Sequence, residues 1–138
     1  MSDLQPGLSR EEKFIVTHDI TAAALFEVIP LAVPNMPEVW STPDMISKME
    51  AVAASVAAAC LPKGQITVGS RNDVRHFAAT PVGMAVRVKA TLTALDGRKL
   101  TFSVEAHDER EKVGEGVHIR YVVDHAEFHK RLAEKRGA

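Results

Sequence analysis

Thr42, Glu50 and His76 offer a hydroxyl, a carboxylate and an imidazole, three groups from which a hydrolytic site can be assembled. The carboxylate and the imidazole can take a proton from water, and the hydroxyl can position a carbonyl or a nucleophile. Thr42 and Glu50 fall two turns apart on one predicted helix, about 12 Å of axial rise, so they would flank a substrate rather than touch. Glu50 lies on the flank of that helix's apolar stripe, where lost hydration favours the neutral carboxyl and makes the anion a better base. Each residue also has a plainer reading. Glu50 can be a boundary carboxylate in solvent, Thr42 a helix N-cap, and His76 a hydrogen-bonded structural histidine. Spacing leaves both sets of readings open.

Other candidates are weaker. His125 and His129 have metal-like spacing, but Glu127 is not placed as in H-E-x-x-H and no third ligand follows. They read as a solvated helix face, and no metal is expected. Gly114-Glu115-Gly116 sits inside a strand without the third glycine of a dinucleotide fingerprint, so it marks a close backbone approach. Cys60 has no cationic sequence neighbour before Lys63 and reads as a packed thiol.

The elements that must hold these groups follow from periodicity. Thr42 before Pro43 starts a helix that runs towards Cys60. Met45, Met49, Val52, Ala53, Val56 and Cys60 form its apolar centre, with Asp44, Lys48 and Ser55 opposite. Its second half is uncharged, as suits a helix enclosed by a sheet. Pro62 and Gly64 end it, and the period then changes to two. Ile66 to His76, Met84 to Leu95, Lys99 to His107 and Val113 to Val123 read as strands, with Asp96-Gly97 as a hairpin turn. Lys13 to Val16 adds a short first strand. Val28 to Pro37 is apolar but broken by Pro30, Pro34 and Pro37, so it is a loop or lid. A last helix follows Asp124 as cap, with Phe128 and Leu132 on its apolar side. The expected class is α+β, an antiparallel sheet wrapped around a central helix, with a second copy of the chain covering the sheet edge in a homodimer.

At 138 residues and a formal charge of −1, the chain is expected to be one domain spanning 1–138, with no basic excess to recruit nucleic acid. Aromatics are only 5%, which predicts an aliphatic core. The single cysteine excludes an internal disulfide framework. No signal-like or bilayer-length apolar run is visible, so the expected setting is cytoplasmic, away from membranes.

Val39-Trp40-Ser41-Thr42-Pro43, Met45 and Met49-Glu50, then His76-x-Ala78-Ala79-Thr80-Pro81-x-Gly83 and Ala106-His107-Asp108, resemble the hotdog-fold thioesterases related to fluoroacetyl-CoA thioesterase. The resemblance runs from the first strand to the last helix. It implies a dimer that binds acyl-CoA at its interface and hydrolyses it to an acid and free CoA. CoA is then part of the substrate, and no separate cofactor is needed. It further implies that Thr42, Glu50 and His76 are catalytic and that Gly69 and Arg120 contribute to substrate or CoA binding. Gly69 would offer a backbone N–H to the oxyanion, while Arg120 on residue pattern alone could be a strand residue facing solvent. The lid departs from the family's phenylalanine-lined one, since Val28 to Met36 offers Ile29, Leu31, Val33 and Met36, which suits a generic short or medium acyl chain. A non-catalytic acyl-CoA-binding or structural hotdog dimer is the alternative, though a binder has no need of all three catalytic types. A hotdog hydratase is disfavoured because Asp73-Val74-Arg75-His76 lacks the spacing expected of its Asp and His.

Overall fold

A computed structural model describes residues 3–137. Strand β1 (Ser9–Ile15) leads through a 3₁₀ turn (His18–Ile20) into helix α1 (Ala22–Val28), and the central helix α2 (Thr42–Ala58) follows. Strands β2 (Gln65–His76), β3 (Ala85–Asp96), β4 (Lys99–His107) and β5 (Lys112–Asp124) come next, and helix α3 (His125–Lys135) closes the chain. The five strands form one antiparallel sheet in the order β1-β3-β4-β5-β2. Strand β2, which carries His76 and Gly69, therefore lies at an edge.

The expected period-two faces are present. Val86, Val88, Ala90 and Leu92 of β3 and Leu100, Phe102, Val104 and Ala106 of β4 are buried against Met45, Met49, Val52, Ala53, Val56 and Ala57 of α2. The opposite sheet face carries Arg87, Lys89, Glu105 and His107. Cys60 lies just past the helix end and packs partly buried against the core. The core is aliphatic except for Trp40 and Phe102, both fully buried. Gly97, at φ +60°, makes the β3–β4 turn, a conformation that glycine adopts without steric cost.

Three local features differ from expectation. The first strand starts at Ser9, earlier than Lys13. Helix α1 is an element that the residue pattern did not predict, capped by Thr21, whose side-chain oxygen accepts from the Ala24 N–H at 3.1 Å. Asp124 precedes α3 but makes no capping bond, because its carboxylate faces Gln65 and Arg98 instead.

The Gly114–Gly116 pair does mark a close approach. A Cβ on Gly114 would stand 2.5 Å from Met45 Sδ, and one on Gly116 would strike the Asp73 carbonyl and Val74. The second obstacle is backbone and cannot rotate away, so Gly116→Ala is expected to lose about 1–3 kcal/mol of stability. Denaturant unfolding checks this, and an unchanged midpoint would contradict the approach.

Candidate active site

Helix α2 opens with two adjacent hydroxyls, and they divide the work. Ser41, not Thr42, is the N-cap: its side-chain oxygen accepts from the Asp44 N–H at 3.2 Å, and Pro43 occupies the first turn without a donor to lose. Thr42 is thereby released from capping, and its Oγ1 lies 2.8 Å from His76 Nδ1. His76 ends β2 and meets Trp40 edge-on, with ring centroids 5.9 Å apart. The indole is anchored in turn, since its Nε1–H donates to Asp44 at 2.8 Å. Burial holds the His76 pKa below its ordinary value of 6.5, against a smaller opposing effect from the Ala78 backbone, so the imidazole is neutral at pH 7. Among the described residues, His76 Nε2 and Gln65 Oε1 are the buried side-chain polar atoms without a partner. Thr42 and His76 both line a cleft of about 420 Å³ with Trp40, Val39, Met36 and Phe77.

Glu50 has other company. Its Oε2 accepts from Asn72 Nδ2 at 3.0 Å and its Oε1 from Arg120 Nη1 at 3.4 Å. The side chain is 36% exposed, so Glu50 is not desolvated in the way that its helix position suggested. Gly69 is required beside it, because a Cβ there would lie 2.7 Å from Glu50 Oε1 and 3.3 Å from Arg120 Nη1. Arg120 does not face solvent. It is 8% exposed, pairs across the sheet with Gly69, and donates to Thr67 through Nε at 2.8 Å and through Nη2 at 2.9 Å.

Two clusters result within one chain: Thr42 with His76, and Glu50 with Gly69 and Arg120. No hydrogen bond or ion pair among the described residues joins Glu50 to Thr42 or His76. Asn72 and His118 are members that the residue pattern did not single out. His118 shares the buried face of β5 with Arg120 and Val122, a face that the apolar alternation of Val117, Ile119 and Tyr121 did not reveal. The His125 and His129 rings sit 4.3 Å apart on exposed α3 and make no hydrogen bond with either cluster among the described residues.

The segment after α1 is apolar and exposed, with Ile29 at 45% and Leu31 at 64%, and its far end lines the cleft through Met36 and Pro37. An open hollow of about 630 Å³ lies between this segment and α1, lined by Phe26 with Leu31, Val33 and Pro34. The lid therefore has an aromatic neighbour, supplied by the helix before it. Both of its ends are held by one residue: His18 Nδ1 lies 2.6 Å from Glu38 and its Nε2 3.1 Å from Glu27. These bonds to Glu38 and Glu27 raise the His18 pKa above 6.5, with Asp19 as the remaining acidic neighbour. A raised folded value means that the clasp is complete below the unfolded value of about 6.5 and is lost as pH rises through the folded one. Protection from hydrogen exchange across residues 28–38, relative to the intrinsic rate at each pH, is expected to fall over that upper window, and His18→Gln to lower it at pH values below that window. Exchange that ignores both changes would contradict the clasp.

Residues 16–126 match the family described as fluoroacetyl-CoA-specific thioesterase. The chain is 33% identical over 141 aligned residues to the fluoroacetyl-CoA thioesterase of Streptantibioticus cattleyicolor, covering 98% of this chain and 99% of that protein. It belongs to the fluoroacetyl-CoA-specific thioesterase family. A crystal structure of a mutant of the fluoroacetyl-CoA-specific thioesterase superposes with a TM-score of 0.88 at 32% identity, covering 96% of this chain and 97% of that one. A mutant in complex with fluoroacetate and CoA gives 0.82 at 32% identity, over 91% and 99% of the two chains. A hot-dog-like protein from Thermanaerovibrio acidaminovorans gives 0.84 at 25% identity, over 96% and 93%. The fold is thus the hotdog expected from the resemblance, and the chain is a thioester hydrolase of the acyl-CoA class at the level of the family.

Within this family member, the segment around the H-x-A-A-T-P-x-G residues has a structural explanation. Thr80 is fully buried and donates to Asp108 at 2.9 Å, while Asp108 also accepts from the Arg110 and Glu111 N–H groups. The bridge between Val39 and Pro81 ties the same stretch to the start of α2. That scaffold, with the Trp40 N–H donating to the Thr80 carbonyl at 2.8 Å, ties the stretch after His76 to the residues that precede Thr42.

Proposed function

We propose that this family member hydrolyses a short or medium acyl-CoA thioester to the carboxylic acid and free CoA, using Thr42, Glu50 and His76, with no metal and no cofactor apart from the CoA of the substrate. The observation that carries the reading is the Thr42–His76 bond of 2.8 Å in the wall of a cleft large enough for a small acyl group. Helix α2 projects Glu50 two turns further on, so a thioester carbonyl and one water would fit between the carboxylate and the Thr42–His76 pair.

In this mechanism Thr42 positions the carbonyl or the nucleophile. Neutral His76 and Glu50 take the proton as water attacks the carbonyl carbon; the C–S bond then breaks and CoA leaves as the thiol after protonation. Direct attack by Glu50 would instead form an anhydride that water resolves, with the same products. Gly69 is the proposed oxyanion donor through its backbone N–H, because the missing side chain leaves room beside Glu50. Arg120 contributes by holding Glu50 and by adding positive charge near the bound CoA.

The acting form is proposed to be a homodimer in the cytoplasm. Edge strand β2 is exposed from Gly69 to Asp73. A second copy of β2 beside it would satisfy that edge and bring two sets of Thr42, Glu50 and His76 near one interface.

Release of free thiol from acyl-CoA esters of increasing chain length, with fluoroacetyl-CoA included, tests the reading. Turnover is expected for short and medium chains. A hydrophobic pocket separates neighbouring chain lengths by only about 1–3 kcal/mol per methylene, so a broad optimum is expected. CoA binding without turnover across the panel would favour the binding-module alternative.

A further inference from the structure

We infer that His118 is a positioning residue, acting through Arg120 to hold the carboxylate of Glu50. The inference rests on the thioesterase reading for its catalytic meaning, but its geometry stands independently.

His118 is fully buried and lies over Phe102, with ring centroids 6.4 Å apart. Its Nδ1 is 2.9 Å from the Arg71 carbonyl oxygen, which can only accept, so Nδ1 carries the proton. Its Nε2 is 3.2 Å from Arg120 Nη1, which can only donate, so Nε2 must be bare. Both contacts select one neutral tautomer. Burial also lowers the His118 pKa, which keeps that form in place at neutral pH.

The guanidinium of Arg120 is pinned along one edge by Thr67, through Nε and Nη2. Its remaining nitrogen, Nη1, is the one that reaches Glu50 Oε1, at 3.4 Å. Nη1 has two hydrogens. With one taken by His118 Nε2, the other is directed towards Glu50. Without that acceptor, Nη1 has a buried hydrogen with no partner, and the direction of its bond to Glu50 is no longer set. Thus β5 supplies the anchor, β2 supplies Thr67 and the Arg71 carbonyl, and α2 supplies the carboxylate that the anchor aligns.

Two conservative variants separate this role from support of the β2 bulge next to Arg71. His118→Gln keeps an acceptor near the Nε2 position and can still receive Arg120. His118→Asn keeps a donor near Nδ1 for Arg71 but offers Arg120 nothing. On thioester hydrolysis, His118→Asn is expected to lower kcat about 10–100-fold with little change in KM, as loss of a supporting partner does elsewhere. His118→Gln is expected to retain most of the wild-type kcat. In an Arg120→Met background, His118→Asn should cause no further loss.

A second readout needs no turnover. In nitrogen-15 NMR, the Arg120 Nη1 resonance should move in His118→Asn and keep its wild-type position in His118→Gln, while Nη2, held by Thr67 in every variant, stays in place. If the wild type hydrolyses no acyl-CoA, the thioesterase reading fails, and the Arg120 resonances alone decide the positioning role. Wild-type behaviour of His118→Asn in the spectrum, or equal losses in the Asn and Gln variants, would overturn the inference.

Discussion

Glu50→Gln is expected to leave the protein folded and to lower kcat by about 10²-fold to 10⁴-fold or more. The amide matches the carboxylate in volume and keeps an oxygen that can accept from Arg120 or Asn72. It cannot take a proton from water or attack a thioester. The side chain is 36% exposed, so the exchange costs little packing, and the change in stability should be small beside the change in rate. Thiol release and thermal unfolding measured on the same preparation separate the two effects. A Gln variant with wild-type turnover would remove Glu50 from the mechanism, whichever of the base and anhydride routes is considered.

The second large effect belongs to the Thr42–His76 pair. Thr42→Val and His76→Phe each remove one side of the 2.8 Å bond, and each is expected to lower kcat by about 10²-fold or more. With the two residues acting as a unit, as proposed, the double variant should be scarcely slower than the worse single one. Additive losses would show that they act separately. The pH dependence has a definite sign. Burial lowers the His76 pKa, so the neutral base is present above the lowered value and is lost as pH falls through it. The profile of kcat/KM should therefore hold its plateau at pH 7 and decline on the acid side below the ordinary histidine value of 6.5. An acid limb centred above 6.5 would contradict a neutral His76.

Much of this arrangement is written in periodicity. The change from helical to alternating pattern after Pro62 locates α2 and the four following strands, because a half-buried sheet must alternate. Helix α1 escaped because seven residues, three of them consecutive alanines, are too few to establish a period before the proline-broken lid. The choice between Ser41 and Thr42 as cap could not be read either. Two adjacent hydroxyls are equivalent to a pattern, and only the backbone decides which oxygen turns inward.

Strand β5 is more instructive. Val117 and Tyr121 are substantially exposed at 43% and 38%, whereas His118 and Arg120 are buried. Hydrophobic alternation would place this stretch with the opposite face inward, a one-residue change of phase. The protein overrides its own pattern where polar groups are needed inside, and the inversion is itself a mark of the site. Register with β2 was the missing information, since only the pairing of Gly69 with Arg120 brings the guanidinium to Glu50.

Trp40 is the chain's one tryptophan, and its ring stands 5.9 Å from that of His76 with no exposure to bulk water. Indole emission is quenched by a neighbouring imidazolium far more than by a neutral imidazole. The protein is therefore expected to carry its own optical gauge: without any attached dye, Trp40 emission should rise as the neighbouring His76 loses its proton.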